Sequence, residues 1–131
     1  AYILLNEVKT PDRLNERQFA RWCMLYCRAA DKLFKDMLYT EQLDRALVWY
    51  KSHGAAEQQA WMGLYLGRSY VKDKLFIPAM KAYSDALSLA KEKYLYDVAG
   101  YICSYMADLY TYTGQRSEER RKFEEAAEFF K

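Results

Sequence analysis

Five glycines and two prolines are few for a chain of 131 residues. Such a scarcity of breakers leaves room for long helices joined by short connections. Long apolar runs are missing too, since no stretch approaches the roughly 18–20 residues that a membrane span needs. The first residues do not read as a signal peptide. They begin at Ala1 rather than Met, as expected of a piece processed or excised from something longer. Charge of one sign is scarce as well: 20 Lys+Arg against 18 Asp+Glu leave +2, too little to imply nucleic acid or an anionic membrane. The expectation is a soluble domain with neither a membrane span nor direct nucleic-acid contact, cytoplasmic, or periplasmic where the full chain carries a signal or anchor.

Chemistry-bearing residues are equally sparse. The three cysteines, Cys23, Cys27 and Cys103, form no CxxC pair. Cys23 and Cys27 stand four apart and share a helix face, a spacing that suits a metal, but the lone histidine, His53, lies on another segment. Buried free thiols acting as small hydrophobes are the expected role, with no metal and no cofactor. No Ser/His/Asp or Cys/His set can be assembled around His53. The glycines of GLYLGRS lie inside a helical pattern, unlike a phosphate loop, which follows a strand. The chain is therefore not expected to be an enzyme.

What is abundant is aromatic and helical. The chain holds 13 Tyr, 3 Trp and 6 Phe, and no segment alternates Val, Ile and Thr as a strand would. Asn15, with Gln18 three residues on, has the form of a capping box. Phe19, Trp22, Cys23, Tyr26, Ala29, Ala30 and Leu33 then recur at three- and four-residue steps, marking one apolar face. Thr40 reads as the cap of the next helix, which Gly54 ends and whose last turn holds His53. Further helices are predicted over 57–72, 76–92, 96–113 and 117–131, with Pro78 in a first turn and Gly114 and Ser117 as stop and cap.

Two of these helix pairs share one ruler. Gly67 and Ala107, Tyr70 and Tyr110, Tyr83 and Phe123, and Ala86 and Ala126 are each 40 residues apart. What repeats is residue size: a small residue in one helix faces a large ring from its partner, so the two interlock. Each pair still leaves an apolar face bare, and stacking a further pair covers it.

Leu66-Gly67-x-x-Tyr70, followed by Ala79-x-x-x-Tyr83 and Ala86, resembles the tetratricopeptide repeat (TPR). Met106-Ala107-x-x-Tyr110 with Phe123 and Ala126 resembles it more distantly. Gly63 and Cys103 stand in the place of the signature Trp, Glu119 replaces the second-helix Ala, and the closing Pro is absent. The 40-residue spacing exceeds the usual 34 or so, and the long-helix pattern is similar to repeats of bacterial regulatory and envelope-associated proteins. The resemblance implies an all-α, right-handed α-α superhelix, a solenoid of about six to seven helices. It forms a single domain over 1–131: 1–9 as the second helix of an incomplete repeat, 16–54 as a divergent repeat, and 57–92 and 96–131 as repeats.

The resemblance further implies a protein-interaction scaffold, whose first helices line a concave groove for a peptide or partner segment. The groove positions carry over onto Arg21, Met24, Arg28 and Lys32, then Trp61, Leu64, Arg68 and Lys72, then Tyr101, Ser104, Asp108 and Tyr112. Basic and aromatic side chains predominate, so the expected partner is acidic or aromatic-rich. The family's clamp for a C-terminal carboxylate is not expected, because the inner positions read Met24, Leu64 and Ser104, then Arg28, Arg68 and Asp108. Arg28 and Arg68 are both expected to be exposed and dispensable for folding. Two other readings stand beside the scaffold. One is an oligomerisation or spacer module that self-associates through the Phe123, Phe129 and Phe130 end; the other is a small-molecule sensor closing a cavity among Trp61, Tyr101 and Tyr105.

Overall fold

Asn15 and Gln18 exchange hydrogen bonds: the Gln18 backbone N–H donates to Asn15 Oδ1 at 2.8 Å and the Asn15 N–H to Gln18 Oε1 at 3.3 Å. This box opens the first helix, α1, Glu16–Lys32, and five more follow: α2 Thr40–His53, α3 Ala56–Lys72, α4 Phe76–Glu92, α5 Tyr96–Thr113 and α6 Arg116–Phe129. A short 3-10 turn, Pro11–Arg13, precedes them. The computed structural model describes residues 11–32 and 38–130, and no strand occurs among them. The helix expected over 1–9 lies outside the described residues, as does the end of the last helix at 131.

The protein is all-α, and each helix packs on its neighbour in the chain, most closely α3 on α4 and α5 on α6, while α3 also touches α5. Helices α3 to α6 begin at 56, 76, 96 and 116, one every 20 residues. The 40-residue repeat is this shorter ruler taken twice. Three helix ends keep the ruler in register through the same device. The Leu75 N–H donates to the Tyr70 carbonyl at 2.9 Å, Leu95 to Ala90 at 2.8 Å and Gln115 to Tyr110 at 2.9 Å. In each case the preceding residue is left-handed: Lys74 at φ 60, Tyr94 at φ 58 and Gly114 at φ 74. These are Schellman ends, which satisfy carbonyls that the helix would otherwise leave unpaired.

Two caps read from the sequence are corrected. Thr40 is the first residue of α2 rather than its cap, which is Tyr39, and Gln42 Oε1 accepts the Tyr39 N–H at 3.2 Å. The Thr40 hydroxyl instead stands 2.8 Å from Ser69 Oγ and 3.3 Å from Asp73 Oδ2, tying the start of α2 to the end of α3. Ser117 lies inside α6, whose cap position is Gln115. Gly54 does end α2, in extended rather than left-handed backbone. A Cβ there would lie 2.5 Å from the Tyr50 ring, so close approach makes glycine the fitting residue.

Two apolar cores form, with α3 between them. Phe19, Trp22, Leu43 and Tyr50 belong to the first, which takes Met62, Tyr65 and Leu66 from α3. The second gathers Tyr83, Val98, Ile102 and Leu109, and takes Ala60 and Leu64 from α3. Residues 62–67 are accordingly buried without interruption, whereas the apolar stripe of α1 occupies one face. The interlock of small and large residues is present between α3 and α4. A Cβ on Gly67 would fall 2.4 Å from Tyr83 Cε1, and one on Gly63 would fall 2.9 Å from Ala86 Cβ. Its second copy is less complete. Tyr83 is 1% exposed and stacked on Tyr105 of α5 at 6.4 Å, but Phe123 is 45% exposed and no described element covers it.

Candidate functional site: a trough along three helices

Three recesses open in succession beside α1, α3 and α5. The first, of about 380 Å³, lies between α1, α2 and the start of α3, and includes Arg17, Arg21, Arg28, Trp49, His53 and Gln58. The second, of about 440 Å³, holds Arg28, Asp31, Glu57, Trp61, Tyr101 and Tyr105. Arg68, Lys72, Tyr105, Asp108 and Tyr112 border the third, of about 620 Å³. Arg28 is common to the first and second, and Tyr105 to the second and third. The three thus adjoin and form one trough.

The trough brings together every groove position expected from the sequence except Lys32, whose side chain lies outside the described residues, and Ser104, whose hydroxyl donates back to the Gly100 carbonyl at 3.1 Å. Their exposures differ, however. Arg21, Arg28, Lys72, Tyr101, Asp108 and Tyr112 are exposed and Trp61 is half-buried. Met24 is 5% exposed and Leu64 1%, so both are core residues that form the floor rather than surface contacts.

Arg68 also departs from expectation. It is half-buried, forms an ion pair with Asp31 of α1, and lies over the Tyr105 ring at 4.7 Å from its centroid. The Tyr105 hydroxyl stands 3.5 Å from the same Asp31 oxygen. Arg68 therefore ties α1, α3 and α5 together, and removing it disturbs packing as well as charge. Sequence reasoning missed Arg17, Trp49, His53 and Gln58. Arg17 was detectable, standing one helical turn before Arg21; the other three lie beyond the positions that the repeat carries over.

Ring contacts run along the trough. Trp61 is 5.7 Å from Tyr101 and 6.0 Å from Tyr65, centroid to centroid. Trp49 stacks on His53 at 4.9 Å, and His53 Nδ1 lies 3.2 Å from the Trp49 carbonyl. A carbonyl only accepts, so the proton in that contact is on Nδ1. Trp61, Tyr101 and Tyr105 do share the second recess, but it is open to solvent, with Tyr101 48% exposed. It is not a closed cavity.

The balance of charge varies along the row. Among the described residues no carboxylate lines the first recess, Asp31 and Glu57 stand with Arg28 in the second, and Asp108 stands with Arg68 and Lys72 in the third. Burial raises the Asp108 carboxyl above its ordinary range, and the nearby Glu119 adds to the effect. A carboxylate so placed gains from any cation brought beside it.

The cysteines are core thiols. All three are buried and in no disulfide, and burial pushes Cys27 up to about 12 and Cys103 to about 11. Neither is thiolate at neutral pH, so neither is poised as a nucleophile. No group of three or more metal-ligating side chains occurs among the described residues, and no helix among them is long and apolar enough to cross a membrane.

A fourth recess, of about 400 Å³, lies between α2, α3 and α4, with Leu47, Leu66, Tyr70 and Ala82 in its wall. Its rim charges come as Asp44 and Asp85 beside Lys51 and Lys81, and Lys81 is already paired with Asp85 at 3.0 Å. It offers shape without uncompensated charge, and the trough is the stronger candidate. No family model, curated protein or solved structure matches this chain.

Proposed function

We propose that this chain is a TPR-like helical scaffold, a solenoid of helix pairs whose trough along α1, α3 and α5 docks an extended segment of a partner protein. The observation that carries this reading is the continuity of the three recesses, which join through Arg28 and Tyr105. A row of side-chain-sized depressions walled by rings and cations is what successive residues of a peptide occupy, and aromatic residues and arginine dominate such contacts. The even spacing of helix starts and the packing of each helix on its chain neighbour support the solenoid. Work of this kind involves no bond-making, and the resemblance to regulatory repeats of bacteria fits a part in signalling or regulation.

The test is selection from a displayed library of random peptides. A family of peptides should be enriched by the wild type and lost with Tyr101→Ser or Tyr112→Ser, two exposed positions that leave the core intact. If no peptide is enriched above the level retained by an unrelated helical domain, the docking role is refuted.

One observation favours a second reading, self-association through the α5–α6 end. Phe123 and Phe130 are 45% and 50% exposed there. Sedimentation at micromolar concentration separates the two: a dimer abolished by Phe123→Ser would place self-association first.

A further inference from the structure

Resting on the docking role above, we propose that the first recess, between α1, α2 and α3, is a carboxylate seat in which Arg17, Arg21 and Arg28 receive the acidic side chains of the partner segment. The three arginines occur at steps of four and seven residues on α1, so they share one face along the helix. All three are exposed, and none forms an ion pair with a described residue. The two carboxylates of α1 that could have neutralised them are used elsewhere: Glu16 pairs with Arg45, and Asp31 with Arg68.

The polar side chains of the recess, among the described residues, consist of donors and of groups already satisfied. The Tyr50 hydroxyl donates to the Ala20 carbonyl at 3.2 Å. Gln58 Oε1 accepts the Ala55 N–H at 3.0 Å, which leaves the amide NH₂ of Gln58 as a donor. His53 uses its Nδ1 proton on the Trp49 carbonyl. A pocket of this composition calls for a ligand that accepts hydrogen bonds and carries negative charge, and guanidinium forks fit a carboxylate in two-pronged geometry.

A peptide fits better than a nucleic acid or an anionic membrane. A volume of about 380 Å³ suits one or two side chains. A continuous polyanion leaving the seat along the trough would next meet Glu57 and Asp31, the latter already paired with Arg68, and like charges so close repel. The acids of the segment are therefore concentrated at the seat and absent from the stretch over the second recess.

The test uses a fluorescein-labelled peptide with glutamates in its first half and tyrosines in its second, and a twin with glutamine for each glutamate. Anisotropy is read at physiological ionic strength, with circular dichroism as the control for folding. Wild type should prefer the acidic peptide by about tenfold or more. Each of Arg17→Ala, Arg21→Ala and Arg28→Ala should weaken it about three- to tenfold, and the triple variant about 100-fold. Equal binding of the twin, or an unaffected triple variant, overturns the seat. Loss on Tyr101→Ser in those same experiments would leave the docking role standing. Tighter binding of duplex DNA or of phosphatidylserine vesicles, lost with the triple variant, overturns the choice of a peptide. Binding of neither peptide, together with an empty library selection, overturns both proposals.

Discussion

Replacing Gly67 by alanine tests the packing of α3 on α4 directly. The added methyl carbon would sit 2.4 and 2.5 Å from two ring carbons of Tyr83, about 1 Å inside ordinary contact. Tyr83 cannot retreat easily, being 1% exposed and stacked on Tyr105. Overpacking of this kind costs about 1–3 kcal/mol, while alanine in a helix interior recovers up to about 1 kcal/mol over glycine. The net expectation is a loss of about 1–2 kcal/mol, or a fall in Tm of about 5 °C for a chain of this length. Urea unfolding followed by circular dichroism measures it. The decisive arm is a double-mutant cycle. In a Tyr83→Ala background the clash is gone and only the propensity gain survives, so Gly67→Ala should there be neutral or stabilising. A stabilised single variant, or the same loss in both backgrounds, would refute the interlock. Gly100→Ala is the contrasting control. The three heavy atoms nearest its Cβ all belong to the outer end of the Phe130 ring, the first at 2.6 Å, and that side chain is half exposed and has room to move aside. It should cost nothing, or gain up to about 1 kcal/mol.

Other predictions follow from single features. Gly114→Ala should cost about 1 kcal/mol although nothing lies within 4 Å of the new methyl group, because φ is 74 and left-handed backbone disfavours a side chain; Lys74→Gly should gain by a similar amount, and equal effects of opposite expectation in urea would undo this account. A thiol reagent should label Cys27 and Cys103 only on unfolding; rapid labelling of the native protein would show that their burial is wrong. Asp108→Asn should stabilise near neutral pH. The folded carboxyl has its pKa raised, so its ionised form works against the fold above that value and the penalty fades as pH falls. The advantage of the variant should therefore shrink on acidification, and an advantage that grows would reverse the sign of the argument.

Helix positions were legible in the sequence because their signals are local. Asn15 and Gln18 announce the start of α1 by spacing alone, and the small residues at 63, 67 and 86 announce close crossings. The left-handed ends at Lys74 and Tyr94 were not legible, since neither is glycine and the Schellman hydrogen bonds, rather than residue preference, hold them. The trough was legible as a row of positions but not as a surface. Met24 and Leu64 are drawn into the two cores by neighbouring helices, and Arg68 is engaged by an aspartate 37 residues earlier in the chain. Such pairings depend on how helices are brought together, on which spacing within one helix is silent. Arg17, Trp49 and His53 escaped for a related reason: the first recess is built across three helices, not along a single helical face.

Helix α3 contributes side chains to both cores, and this shapes how the molecule opens. A break on either side of α3 strips apolar cover from the same helix, so opening either core exposes side chains that α3 contributes to it. The chain should melt as one cooperative unit, and the backbone amides of α3 should exchange with solvent more slowly than those of α1 or α6, which are covered from one side. The same helix supplies Trp61 and Arg68 to the trough, so these side chains are mounted on the last segment to come loose.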